Sequence, residues 1–310
     1  MRKAPALLLS AGLLAAALTG CAPTAADACK PITMDGAASK LIDVSGEFGS
    51  NPTVDMPTPL KASETERSTI IDGDGLVITD DQLVEMSFAL FNGTTGEPIA
   101  QAAYSDPAIY LPSQLLPGMA DSLHCASVGS RIAVAMPSAD AFGADGAAAG
   151  LGEDDTVVMV ADITDAFLAK ANGDDRPIVE SGFPSVVTAA DGTPGLTIPK
   201  SDPPTELKVA VLKDGDGETV TTSDSMVVHY TGVLWKEQTV FDSSWEKGVP
   251  TVFTSEGIIP GLATALVGQQ VGSQVLVVVP PELGYGDQGS GAVPADATLV
   301  FVVDILGTMS

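Results

Sequence analysis

Reactive side chains are scarce in this chain, and their spacing narrows the chemistry quickly. Two histidines, His124 and His229, and three cysteines, Cys21, Cys29 and Cys125, are spread over 310 residues. These spacings match no zinc-binding pattern, so the sequence predicts no metal site. No serine sits in a nucleophile elbow with acid and histidine partners. No glycine-rich phosphate loop follows a strand. What stands out instead is an aromatic and acidic set in the C-terminal half: Tyr230 in "VVHYTG", Phe241 and Asp242 in "FDSS", Phe253 in "VFTSEG", Tyr285 in "ELGYG" and Phe301 in "TLVFVVDIL". Only 5% of the chain is aromatic, so this concentration calls for an explanation. Core filling accounts for Phe253. It accounts less well for two tyrosines and an aspartate interleaved with apolar strands, because their polar tips need partners when buried. His229 alternates with Val228 and Tyr230 and is expected to face outward.

The elements that must carry these residues are short strands around one short helix. "MVVHYTGVL" is β-branched and aromatic, hence strand-like. "QVLVVVP" and "TLVFVVDIL" are apolar on both faces, as central strands are. Between them, Pro260 suits a first helical turn and Gly268 a C-terminal cap. Leu262, Ala265 and Leu266 give that helix one apolar face. The class is α+β, an antiparallel sheet wrapped on a short helix.

The arrangement occurs twice. "LLPGMADSLHCASVGSR" from Leu115 returns as "IIPGLATALVGQQVGSQ" from Ile258, and ten of the 29 positions starting there are identical. The matches include Pro117/Pro260, Gly118/Gly261, Leu123/Leu266 and the Val-Gly-Ser triplet, turn and core residues in fixed register. "TVVMVADI" and "TLVFVVDI" match as final strands. Two copies make a duplicated domain rather than a solenoid.

Residues 1–20 read as a lipoprotein signal peptide: Arg2 and Lys3, then an apolar stretch too short to span a bilayer, then "LTGC". That tetrad resembles the bacterial lipobox, which implies lipidation of Cys21 and anchoring by acyl chains at the outside of the cell membrane. Residues 21–40 read as a flexible tether, 41–165 as the first domain, 166–183 as a linker around "AKANGDDRP", and 184–310 as the second domain. Cys29 and Cys125 remain as a possible disulfide pair, with two free thiols as the alternative. The net charge of −26 excludes nucleic acid as a partner and keeps the surface well solvated.

From Gly215 to Gly307 the second copy resembles an FKBP-type peptidyl-prolyl cis-trans isomerase, with "VVHYTGVL", "FDSS", "GIIPGL", "ELGYG" and "TLVFVVDIL" in order. The resemblance implies a half-open antiparallel sheet curled around one helix, and two tandem domains of that kind. It implies a pocket lined by Tyr230, Phe241, Asp242, Ile258, Ile259, Leu262, Tyr285, Val293 and Phe301, with no cofactor. The expected activity is isomerisation of X–Pro bonds in proline-containing segments of exported proteins. The alternatives are a chaperone that only grips extended segments, and a structural envelope protein.

Several positions depart from the family pattern. Leu262 stands where the family usually has tryptophan, which should weaken the grip on macrolide ligands. Thr251 replaces an expected aromatic, and the loop "GDQGSGAVPAD" is short and lacks a histidine. A gapless alignment of residues 81–143 with 224–286 puts Ser87 at the place of Tyr230, Pro98 at Phe241, Ile99 at Asp242, Met119 at Leu262 and Phe142 at Tyr285, and the matched final strands put Met159 at Phe301. The first copy is therefore expected to be a degenerate domain that keeps the fold and lacks the site.

Overall fold

The structure, a computed structural model, describes residues 29–79, 82–101, 103–178 and 180–309. Cys21, the signal segment and residues 22–28 lie outside these.

In the first unit, β1 (Asp43–Ser45) and β2 (Thr53–Asp55) form a hairpin. A six-stranded antiparallel sheet follows, built from β3 (Glu66–Ile71), β4 (Val84–Asn92), β5 (Pro98–Gln101), β6 (Ala108–Tyr110), β7 (Arg131–Pro137) and β8 (Thr156–Ala166). Its order is β3-β7-β8-β4-β5, with β6 also on β4. Helix α1 (Pro117–Leu123) starts with Pro117 in its first turn, where the missing N–H costs nothing. A one-turn helix α2 (Ser138–Phe142) follows β7.

The second unit repeats this plan. After the two-residue strand β9 (Asp174–Asp175), β10 (Ser185–Thr188) and β11 (Pro194–Thr197) form a hairpin. Then come β12 (Lys208–Asp214), β13 (Ser225–Leu234), β14 (Val240–Ser243), α3 (Ser244–Lys247), β15 (Thr251–Thr254), α4 (Pro260–Leu266), β16 (Gln274–Val279) and β17 (Leu299–Met309). The order β14-β13-β17-β16-β12-β9, with β15 on β13, is the first sheet again with β9 added at one edge.

Both sheets are covered on both faces, which is why their central strands are apolar throughout. On β16 and β17, Val275, Val277, Phe301 and Val303 face α4, while Leu276, Val278, Val300 and Val302 face the β10–β11 hairpin. The first unit alternates likewise: Val134 and Met159 face α1, and Ala135, Val158 and Val160 face the segment around Val44, Val54 and Met56.

This second cover revises the expected boundaries. Residues 29–40 are not a tether. Ala38 and Ser39 are buried, their N–H groups donate to Glu66 at 2.7 and 2.9 Å, and Cys29 is disulfide-bonded to Cys125. Residues 166–183 are not a free linker either. Phe167 and Ala171 are buried, Leu168 N–H donates to the Leu306 carbonyl at 3.0 Å, and Ile178 and Phe183 pack on the outer face of the second sheet. Phe167 also packs with Val227 and Leu306, joining the two units. Composition alone reads these polar, glycine-containing stretches as loops, because their few apolar anchors are isolated.

A buried carboxylate fixes each outer layer. Asp162 pairs with the fully buried Arg131 at 2.5 Å, and Arg131 also donates to the carbonyls of Gly46, Glu47 and Ser50 in the β1–β2 turn. In the second unit Asp304 accepts from Gln274 Nε2 at 2.7 Å and from the Ala171 N–H at 2.9 Å.

Candidate active site

The pocket residues come from four elements that converge beneath α4. Val228 and Tyr230 share the inner face of β13. On β14, Asp242 pairs with Gly232 while Val240 pairs with Val233, so Phe241 is the extra residue of a β-bulge. A bulge re-aims a side chain, and here the Phe241 ring meets Phe301 edge-on at 5.6 Å. Gly232 makes room for it: a Cβ there would lie 2.6 Å from Phe241 Cζ. Tyr230, Ile259, Leu262, Val293 and Phe301 are buried in one cluster, with Phe241 and Ile258 half-buried against it. Phe253 packs on Tyr230 with ring centroids 5.1 Å apart, as core.

One carboxylate faces this apolar floor. The Tyr230 hydroxyl donates to Asp242 Oδ2 at 2.5 Å, and Lys247 Nζ donates to Oδ1 at 2.5 Å. Burial pushes the Asp242 carboxyl upward, but the Lys247 and Tyr230 hydrogen bonds and the Lys247 charge together outweigh it, and the group is held below the usual carboxylate range. Burial, and then the bond to Asp242, raise the Tyr230 phenol, so it stays a donor. Sequence reasoning missed Lys247. The signal was "SSWEKG": Ser243 caps α3 by accepting from the Glu246 N–H, and Gly248 ends it with φ +70°, so the one-turn helix returns Lys247 to Asp242.

Tyr285 stands apart from the cluster, on the rim and 39% exposed. Ile259 is the N-cap of α4, and its N–H takes no partner among the described residues. The pocket thus offers a dry apolar floor, a phenol tied to a carboxylate, and two donors at its edge.

His229 does not face outward as expected. It is 7% exposed, its Nδ1 lies 2.9 Å from Ser244 Oγ, and its ring stacks on Trp245 at 3.9 Å. Alternation does put it opposite Tyr230, but that face is covered by Trp245 and the β10–β11 turn, where a Cβ on Gly192 would meet Trp245 at 2.6 Å. Burial pushes its pKa down to about 4.

The first unit differs from the gapless alignment by one residue. Ser87 pairs with Asp162 as His229 pairs with Asp304, so Phe88 occupies the place of Tyr230. Its bulge lies between Leu90↔Ala100 and Phe91↔Pro98, which puts Ile99 at Phe241 and Ala100 at Asp242. The helix regions align with an offset one residue greater than these strands do, and a one-residue slip exchanges the two faces of a strand. Met159 does stand opposite Val134 as Phe301 stands opposite Val277. With Phe88, Ala100 and Phe142 at the key positions, this unit has neither the carboxylate nor the hydroxyls. Leu90 also fills the space that Gly232 leaves open.

A probable FK506-binding protein of Corynebacterium glutamicum is 33% identical over 113 residues, covering 36% of this chain and 96% of that protein. The chain belongs to the FKBP-type peptidyl-prolyl cis-trans isomerase family. The family profile, FKBP-type peptidyl-prolyl cis-trans isomerase, matches residues 216–306, within the second unit. The FKBP-type 22 kDa peptidyl-prolyl cis-trans isomerase of Escherichia coli is 44% identical over 101 residues, covering 32% of this chain. The match spans about half, 48%, of that relative's length. Among solved structures, FkpA from Escherichia coli is 34% identical, covering 42% of this chain and 53% of that one, with a TM-score of 0.33. The profile match over residues 216–306 makes the second unit the FKBP-type isomerase domain of the chain.

Proposed function

We propose that the chain is an exported, lipid-anchored folding catalyst: Cys21 holds it to the outer face of the cell membrane, and the second unit isomerises X–Pro bonds in exported polypeptides. The first unit acts without catalysis, as a fixed partner of the second. The observation that carries the reading is the Tyr230–Asp242–Lys247 chain set against the floor of Phe241, Ile259, Leu262 and Phe301.

The physics of the reaction suits such a site. Amide resonance sets a barrier of roughly 18–20 kcal/mol to X–Pro rotation, and uncatalysed exchange takes roughly 10–100 s. No bond is made or broken. Twisting the C–N bond removes resonance charge separation, so a dry apolar pocket favours the twisted amide over the planar one. Phe241, Leu262 and Phe301 grip the proline ring. The Ile259 N–H and the Tyr285 hydroxyl hold the flanking carbonyls. Asp242, kept ionised by Lys247, orients the Tyr230 phenol toward the pocket. Leu262 offers a ligand less contact surface than tryptophan would, so macrolide ligands bind weakly.

Turnover of an X–Pro peptide by the full chain tests these roles. Asp242→Leu should lower the rate severalfold with the fold retained, and Tyr285→Phe should have the smaller effect. An unchanged rate in folded Asp242→Leu removes the carboxylate from the mechanism. Unchanged rates together with weakened peptide binding would favour a site that only grips its client.

A further inference from the structure

The sequence places Cys29 far from His124 and Cys125, and no spacing rule connects them. The fold brings them together. Residues 29–40 lie along the first unit, and Cys29 reaches the end of α1, where His124 is the C-cap and Cys125 follows with φ +60°. The two sulfurs and an imidazole nitrogen all lie within 4.8 Å of one another, and all three side chains are half-buried, within reach of solvent. We infer that this cluster is a redox-gated metal site: closed as the Cys29–Cys125 disulfide, and on reduction a Cys2His site for a thiophilic divalent cation such as zinc.

Geometry supports the inference. Zinc binds thiolate sulfur at about 2.3 Å and imidazole nitrogen at about 2.0–2.1 Å, so a tetrahedral S–Zn–N edge measures about 3.6 Å. The Cys29 Sγ to His124 Nε2 distance is 3.9 Å, already close to that edge. The sulfurs of a tetrahedral site stand about 3.8 Å apart, and Cα atoms 5.7 Å apart allow this by side-chain rotation alone. The backbone on the His124–Cys125 side of the cluster is held independently of the disulfide. Arg67 donates to the carbonyls of Ser122 and His124 at 2.7 and 2.9 Å, and the Cys125 N–H donates to the Ile78 carbonyl at 2.7 Å. Two thiolates neutralise a divalent cation, so the nearby Arg67 charge opposes no net charge. The fourth position is left for water.

The chemistry balances with one reductant. A dithiol supplies two electrons: its two S–H groups become one S–S bond, the Cys29–Cys125 bond breaks, and two thiols form. Metal binding then expels both thiol protons.

Cobalt(II) is the probe, titrated into the full chain carrying Cys21→Ser so that only two thiols remain, after reduction and removal of the reductant. The expected result is one equivalent of cobalt with thiolate charge-transfer absorption. That absorption should be absent from the oxidised chain and lost in Cys29→Ser and Cys125→Ser. Affinity should fall at least tenfold in His124→Ala and in the bulkier His124→Gln. Proton NMR dispersion confirms that each variant is folded. Absence of the band in the reduced chain, folded or unfolded, overturns the site. So does a folded histidine variant that binds as tightly as the parent.

Discussion

Substituting Gly232 by alanine separates catalysis from stability in one step. The new Cβ would lie 2.6 Å from Phe241 Cζ, 3.0 Å from Cε1 and 3.1 Å from Cε2. Carbon atoms in contact sit about 3.5–4.0 Å apart, so the ring must retreat by about 1 Å. Phe241 is half-buried on a bulge at the pocket rim and can move. The stability cost then lies at the low end of overpacking, about 1 kcal/mol. Removing a strand glycine returns roughly 0.5–1 kcal/mol by restricting the unfolded chain. Stability should therefore change by no more than about 1 kcal/mol. Catalysis should suffer far more, because the displaced ring is a wall of the pocket and its neighbour Asp242 is the carboxylate. A 1 Å misplacement costs up to about 100-fold, so kcat/KM for an X–Pro peptide should fall between about 10- and 100-fold. The assay pairs that rate with a urea midpoint on the same preparation. A folded Gly232→Ala chain that works within twofold of the parent would refute the assignment of Phe241 as a pocket wall.

Two buried groups on the second sheet set opposing pH dependences. His229, lowered to about 4 by burial, stabilises the fold fully above its unfolded value near 6.5 and loses that contribution as pH falls, on the order of 2 kcal/mol between pH 7 and pH 5. Asp304, raised to about 6 mainly by burial, does the reverse, regaining on the order of 1 kcal/mol over the same interval as it protonates. Relative to the parent, His229→Gln should gain stability from pH 7 to pH 5 and Asp304→Asn should lose it; urea midpoints at both pH values check the signs, and equal slopes in both variants would contradict them. Arg131→Met leaves Asp162 buried without its cation and frees three carbonyls of the β1–β2 turn, so it should destabilise the first unit by about 3–5 kcal/mol. Calorimetry showing a first unit as stable as the parent's would contradict that account.

The duplicated unit, the apolar central strands and the pocket set from Tyr230 to Phe301 were legible in the sequence. They rest on turn and core residues repeated in fixed register, on runs that are apolar on both faces, and, for the pocket, on motifs that resemble a known family. The outer hairpins were not, because Val44, Val54 and Leu196 are single apolar residues in polar surroundings and Val186 has only Val187 beside it, and only the sheet they cover explains them. The internal register failed for a related reason. Turn and helix residues align gaplessly, and although the final strands match one residue out of step with the helices, nothing in the sequence marks that the earlier strands share that second offset. Cross-strand pairing of Ser87 with Asp162 and of His229 with Asp304 settles it. His229 was misplaced because alternation predicts which side a residue takes and does not reveal whether that side is covered.

The most direct test of the central claim is exchange NMR on an X–Pro peptide, comparing the full chain with a full chain carrying Tyr230→Phe and Asp242→Leu, and with one carrying Phe88→Leu and Ile99→Ala. The account predicts that the parent catalyses exchange, that the second-unit pair loses most of the rate, and that the first-unit pair keeps it. Loss of rate from the first-unit pair, or full rate in the folded second-unit pair, would contradict the assignment of catalysis to the second unit.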